Sequence, residues 1–540
     1  MRSDQQQAIN RLAGTSATAF LCAVLCVYPL YIDKFSNLGV TKFTGCFTLF
    51  LLFLLWLVAC TAIGARAPRP RNANAGRDVT LWGVLAFAST SLISTFTSLS
   101  PTASTWGLGG YYGGLMLVLF TAAGYWAVRS YLDLENLDFV FWVLGITTSI
   151  VAVLYVLNIF NIDLIGAYAD TAVVERAQFF STLGQKDFNG CFFSVALPIV
   201  FYQFLNAKDT RTAVWTGIPA AFGALALAVV DSEALALGIG AAVMVLVCHK
   251  NFTTRHLRRA ALISAAFFGW AAWMHYMRAS VYTQGGTALL AKLGAWQVAL
   301  PCMAASLLLW LVLFVLARKG IAAQAPLYLP GRVITIAVLA VGALAFVLAN
   351  AMPNLPLPES LHNLLVFNDD WGTYRGVAWR AAFGTWADGS LLRKIVGIGP
   401  GMMHTAVAAW AGDAMTARMA TFYAAHNEYL EQLLTTGILG LAAWLLLVAA
   451  LLAGSLLTGH GGKEESIQTA MRDAVLHDVN RVNFFGKAVN PGLISAFTVT
   501  AILLMAAALL RVFVIPKFRY VPGRLQLVLE EIVGLFDRMG

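Results

Sequence analysis

Apolar runs recur along this chain at short intervals, each close to the roughly 20 residues that a helix needs to cross a hydrocarbon core. They fall near residues 15–32, 43–65, 79–98, 113–128, 139–158, 188–206, 213–230, 234–248, 260–276, 295–317, 333–351 and 433–457, with one more near 493–515. The composition agrees: of 540 residues, 59% are hydrophobic and only 12% are charged, against about 25% charged in an ordinary soluble domain. A soluble protein this apolar could not cover its core with polar surface. The spacing therefore predicts an all-α, polytopic membrane helix bundle of about 12 spans plus one C-terminal span. Pro29, Pro198, Pro219 and Pro301 lie within the runs, where neighbouring membrane helices satisfy the freed backbone groups.

The net charge of +9 raises nucleic acid as a partner, but that needs Lys and Arg clustered on one soluble face. Here they stand in short clusters between apolar runs, as at Arg66–Arg77 and Lys250–Arg259, so no nucleic-acid partner is expected. With a cytoplasmic N-terminus, the inner segments hold Arg2, Arg11, Arg66, Arg69, Arg71, Arg77, Arg129, Lys208, Arg211, Lys250, Arg255, Arg258, Arg259, Arg318, Lys319 and Arg332. The short outer loops hold only Lys34, Lys42, Arg176, Lys186, Arg278 and Lys292. That asymmetry follows the positive-inside rule, and the Arg-flanked N-terminal run is expected to be the first membrane helix rather than a cleaved signal.

This orientation places one large extracytoplasmic loop, about 352–432, between the last two spans of the bundle. Its aromatic residues, including Trp371, Tyr374, Trp379, Trp386, Trp410 and Tyr423, argue against disorder and for amphipathic helices lying over the bundle. The cysteines Cys22, Cys26, Cys46, Cys60, Cys191, Cys248 and Cys302 lie in or beside apolar runs without metal-ligand spacing, which fits small packing residues. No metal and no cofactor is expected.

The chemistry-bearing residues gather in the long loop. It carries Tyr374-Arg375-Gly376-Val377-Ala378-Trp379-Arg380, then Gly397-Ile398-Gly399-Pro400-Gly401, then His426-Asn427-Glu428-Tyr429-Leu430, and the next run opens Gly437-Ile438-Leu439-Gly440-Leu441. A neutral His takes a proton from a hydroxyl near pH 7, and an Arg offers a planar fork of donors that matches phosphate. Together at a membrane surface they suit attack of an alcohol on a phosphate-activated, lipid-carried group. Blander roles stand beside these: a structural hydrogen-bonding His, Arg375 and Arg380 meeting anionic lipid headgroups, a tight turn at the Gly-Pro-Gly run, and a turn or helix cap at Asp369-Asp370.

In order and spacing these motifs resemble the O-antigen ligase and polymerase family, bacterial membrane glycosyltransferases with about a dozen helices and one large periplasmic loop. Ser181-Thr182-Leu183-Gly184 with Asn189 and Pro198 is similar to the family's Gly/Asn segment. The resemblance implies a metal-independent enzyme of the bacterial cytoplasmic (inner) membrane, acting on an undecaprenyl-pyrophosphate-linked oligosaccharide donor and a glycan, lipid or protein acceptor. It implies His426 as general base and Arg375 as partner of the pyrophosphate leaving group, with Arg380, Arg176, Lys186, Asn427 and Tyr429 as substrate-binding residues. The sequence departs from the family at the outer turn that usually reads Ser-Arg-Gly; here it reads Asp231-Ser232-Glu233-Ala234. Either Arg176 or Lys186 substitutes for the missing cation, or the donor differs, or the turn is used differently, or the protein is inactive. The alternatives from other classes are a lipid-linked glycan flippase or transporter and a non-catalytic membrane protein of the same fold. Nearly charge-free spans count against a transporter.

After the ligase-like part, 1–457, the character changes. Residues 458–492 are polar with balanced charge, and the run near 493–515 is followed by Arg519-Tyr520-Val521-Pro522-Gly523-Arg524-Leu525-Gln526. With Val489-Asn490-Pro491-Gly492, the tail at about 483–538, within the second segment 458–540, resembles the N-terminal part of F-type ATP synthase subunit a without the later helices that move protons. An outward tail helix would carry Lys517, Arg519 and Arg524 outside, against the positive-inside trend, so the preferred expectation is a composite of two unrelated pieces.

Overall fold

A computed structural model describes residues 2–64, 79–107, 111–132, 134–280, 288–321, 324–352, 356–408, 410, 423–457, 483–484 and 487–488. The chain divides into two units, 1–161 with 170–463, and 162–169 with 464–540. In the second, Asp163 accepts the Ala167 and Tyr168 amides, both at 2.9 Å, and Asn483–Phe484 pairs antiparallel with Lys487–Ala488. The tail span expected near 493–515 lies outside the described residues.

The first unit is almost entirely helical, as an all-α membrane protein requires. Among the described residues, eight helices are long and apolar enough to cross a membrane, and Glu233–Cys248 and Gly437–Leu451 are shorter apolar helices. The first crossing helix, Ala8–Leu30, contains a π-helical turn at Ala23–Val27. Pro198, Pro219 and Pro301 lie inside their helices. The helices Leu137–Ile159, Lys186–Asn206, Thr210–Val229, Glu233–Cys248 and Thr254–Ser280 pack around buried Val151, Tyr155, Phe193, Leu197, Leu225, Val229 and Met274. Near the N-terminus, Ala13, Ala17, Phe20, Phe53 and Ala127 form a separate cluster in which Phe20 and Phe53 stack at 4.2 Å.

Small residues set the closest approaches, as expected where lipid provides no hydrophobic drive between helices. A Cβ on Gly83 would stand 2.9 Å from the backbone of Leu447, so Val79–Phe96 and Gly437–Leu457 meet almost backbone to backbone.

One basic cluster has a structural role. Thr254–Ser280 starts earlier than its apolar run, and its first turns carry Arg255 and Arg259. Buried Arg259 donates to the carbonyls of Phe204 and Leu205 at 3.0 and 2.9 Å, and Arg255 reaches Ala207. These guanidiniums satisfy the open C-terminal carbonyls of Lys186–Asn206.

Segment 352–432 and its junction with Gly437–Leu457 contain helices Glu359–Leu365, Trp371–Ala387, Leu391–Val396 and Glu428–Thr435. They share a core of Val377, Ala378, Ala381, Ile398, Met403, Val407, Ala425 and Leu434, so the segment folds on apolar contacts of its own. Gly399, at φ +105°, donates its amide to Thr435 O at 2.9 Å and Ser94 Oγ at 3.1 Å. A side chain at this position would be strained. The Gly-Pro-Gly run is thus a tight turn pinning the segment to Val79–Phe96, with this amide spent on protein acceptors.

Candidate active site

The site is built where the first turn of Lys186–Asn206, the turn Asp231–Glu233 and the last turn of Thr254–Ser280 meet the long segment. The positioning starts at Asn189, which is fully buried. Its amide donates to the carbonyls of Phe180, Gly184 and Gln185 at 3.2, 3.0 and 3.1 Å and accepts from Ser181 Oγ at 2.6 Å. Asn158 receives the Ser181 amide at 2.6 Å, and Ser181 takes a left-handed φ of +56°. One side chain thereby closes the hairpin Phe179–Phe180/Gly184–Gln185 and sets where the next helix begins, at Lys186 and Asp187. Asn189→Ala would strand buried carbonyls, at about 1–3 kcal/mol for an unsatisfied group. A fall of several degrees in thermal unfolding of the purified protein is expected, with more protein lost during extraction.

Asp187 then ties two elements together. Ser232 Oγ donates to Asp187 Oδ1 at 2.9 Å, and Lys186 Nζ lies 3.9 Å from Asp231 Oδ2. Arg278, half-buried at the end of its helix, interacts electrostatically with Asp231.

From the long segment comes Arg375, near the start of Trp371–Ala387. Its Nη1 lies 2.7 Å from Glu233 Oε2. The helix is anchored by Val377 and Ala378 in the core and by Phe367, Trp371 and Trp379, whose ring centroids lie 5.1–5.8 Å apart. Arg380, five residues on, is paired with Asp369, so its charge is committed within the segment and it is not placed with Arg375. Asp369 therefore acts as an anchor for the helix start, with its carbonyl accepting the Val377 amide at 3.1 Å.

His426 comes from the other end of the segment. It has a left-handed backbone, φ +49°, immediately before the cap of Glu428–Thr435. Asn427 is that cap: its Oδ1 accepts the Tyr429 and Leu430 amides at 3.1 and 3.3 Å. Glu431 reaches back to the Ala425 amide at 2.8 Å, holding the chain on the near side of His426. Tyr429 packs edge-on against Trp444 at 5.2 Å. Of the residues expected to touch substrate, Asn427 and Tyr429 are thus engaged in shaping the helix that presents His426, while Arg176 lies on the turn Val173–Gln178 leading into the hairpin.

The electrostatics join the two ends. Desolvation and the Arg375 guanidinium hold the His426 imidazole below its ordinary value, with Asp187 opposing them. Both effects favour the neutral imidazole over the charged form. Burial pushes the Glu431 carboxyl up to about 7, the Ala425 amide opposing and Glu428 adding. A carboxyl raised on folding stabilises the protein fully at low pH, and that contribution is lost as pH rises through about 7. Glu431→Gln keeps an acceptor for Ala425 and removes the titration. The variant should unfold at a higher temperature than the parent at pH 8, with the gap closing toward pH 5; a pH series of thermal melts measures it.

The turn Asp231–Glu233 stands out in the sequence only as a departure from the family motif, and Asp187, Arg278 and Glu431 belong to no motif. The available signals were adjacency for Asp187, which precedes Asn189 by two positions, and the outer-loop assignment for Arg278. Among the described residues, no three His, Cys, Asp or Glu side chains gather as a metal site. Compared with known proteins, this chain matches no family model, no curated protein and no solved structure.

Proposed function

We propose that this protein is a metal-independent glycosyltransferase of the O-antigen ligase and polymerase type, with about 12 spans, a cytoplasmic N-terminus and its site at the outer face of a bacterial cytoplasmic membrane. It transfers or polymerises an oligosaccharide from undecaprenyl pyrophosphate onto an acceptor hydroxyl. The observation that carries this reading is the packing of Trp371–Ala387 on Glu428–Thr435, which brings Arg375 and His426, 51 positions apart in the sequence, close enough for the guanidinium to act on the imidazole. Lys186 and Arg278 stand at the same end of the bundle, beside Asp231. The caps made by Arg255 and Arg259 lie at the opposite end of Thr254–Ser280 from Arg278, which supports an inner and an outer end.

In the reaction, the acceptor hydroxyl gives its proton to the neutral imidazole of His426 as its oxygen bonds to the anomeric carbon. The bond from that carbon to the phosphate oxygen breaks, and undecaprenyl pyrophosphate leaves with the electron pair. Arg375 meets the charge that develops on the leaving phosphate, as a preorganised cation should. The imidazolium then loses its proton to solvent.

The experiment is binding of undecaprenyl pyrophosphate to the purified full chain in lipid nanodiscs, with undecaprenyl monophosphate and inorganic pyrophosphate as comparison ligands. Saturable binding of the lipid pyrophosphate, competed by inorganic pyrophosphate and weakened in Arg375→Ala, supports the reading. Absence of binding overturns it in favour of a non-catalytic protein, the alternative that the Glu233 carboxylate on Arg375 would favour.

A further inference from the structure

The Arg375 guanidinium is already occupied by a carboxylate. We propose that Glu233 is an internal competitor for the donor's phosphate: it holds Arg375 while the site is empty and swings away when a pyrophosphate arrives, so that it sets donor affinity. The inference rests on the donor site proposed above.

The geometry says which partner moves. Arg375 sits on a helix fixed by the core residues Val377 and Ala378 and by the Trp371–Trp379 cluster, and its side chain is 29% exposed. The Glu233 side chain is 67% exposed and reaches the guanidinium through one short contact, Nη1 to Oε2 at 2.7 Å. A carboxylate held at one point by an exposed side chain yields readily to a phosphate, whose oxygens engage the guanidinium fork at two points and carry more charge. Glu233 also has somewhere to go. It is the first residue of Glu233–Cys248, where a carboxylate is favoured by the helix dipole whichever way its side chain turns.

The other acids of the site are differently placed. Asp231 faces Lys186 and Arg278, and Asp187 takes the Ser232 hydroxyl. Each is tied to an element of the bundle rather than to Arg375. Glu233 is thus the carboxylate that stands directly in the phosphate's place, and the one free to leave.

The size of the effect is bounded by what an exposed ion pair contributes. That limits the competition to at most about fivefold in donor affinity.

The test is the dissociation constant of inorganic pyrophosphate, and separately of undecaprenyl pyrophosphate, for the full chain in nanodiscs. It is measured for the parent, Glu233→Gln, Glu233→Ala, Arg375→Ala and the double variant Glu233→Gln/Arg375→Ala. Both Glu233 variants should bind about two- to fivefold tighter than the parent, and the gain should vanish in the Arg375→Ala background. If both Glu233 variants bind no tighter than the parent while Arg375→Ala weakens binding, the competitor is overturned and the donor site stands. If Arg375→Ala binds both probes as the parent does, the donor site itself fails, and the role of Glu233 falls with it.

Discussion

Replacing His426 by Asn leaves the protein in the membrane at parental levels and lowers glycosyl transfer by about a hundredfold to ten-thousandfold, the range general-base groups supply. Asn is the informative substitution because position 426 has a left-handed backbone, φ +49°. Asn adopts that conformation more readily than most residues, so the helix cap at Asn427 and the Glu431–Ala425 bond survive. His426→Ala should be equally inactive, with a small added loss of stability from the backbone. The pH profile of kcat/KM carries a second signature. Its acid limb should lie below the ordinary histidine value, because desolvation and Arg375 both disfavour the imidazolium. Asp187→Asn removes a group favouring the charged form and should move the limb lower still. A limb that stays put in Asp187→Asn, or transfer that survives in His426→Asn, would assign the proton to another group.

Arg375→Ala should cost about a hundredfold to a thousandfold in kcat, comparable with removing one preorganised donor from an oxyanion site. Little stability should be lost, since its partner Glu233 is 67% exposed and returns to water. Arg375→Lys keeps the charge and loses the planar fork, so it should recover only part of the rate. With the guanidinium gone, the imidazole of His426 becomes easier to protonate, and the acid limb of any residual activity shifts upward. Rate measurements on the Ala and Lys variants across pH separate these effects. Equal rates for Arg375→Ala and the parent would remove Arg375 from the reaction.

The membrane-crossing framework is legible in the sequence because a membrane helix announces itself by local composition alone, and the eight described helices long and apolar enough to cross stand where apolar runs do. Parts of the site were legible for the same reason of locality. The tight turn at the Gly-Pro-Gly run follows from glycine's freedom at φ +105° for Gly399, whereas Asn427, expected to bind substrate, is a helix cap whose targets lie within three residues. What resisted the sequence is long-range. Glu233 and Arg375 are 142 positions apart, and Asp187 and Ser232 are 45. Nothing local to either partner specifies those pairings; they follow from which helix ends the bundle brings together. For the same reason the Glu233 carboxylate, taken alone, suggests repulsion of a pyrophosphate, whereas in the structure it neutralises the cation that would bind one. Arg259 is a parallel case. Its charge suggests orientation, yet its guanidinium also completes the carbonyls of Phe204 and Leu205.

Single-turnover transfer in reconstituted vesicles bears most directly on the proposed chemistry. Purified parent and His426→Asn proteins are loaded with an undecaprenyl-pyrophosphate-linked oligosaccharide and offered acceptor glycans, and released undecaprenyl pyrophosphate and extended acceptor are quantified together. The parent should form both products in equal amounts, while His426→Asn binds the donor and forms neither. Equal product from the two proteins, or donor bound by the parent with no transfer to any glycan, lipid or protein acceptor, would show that this site does not perform glycosyl transfer.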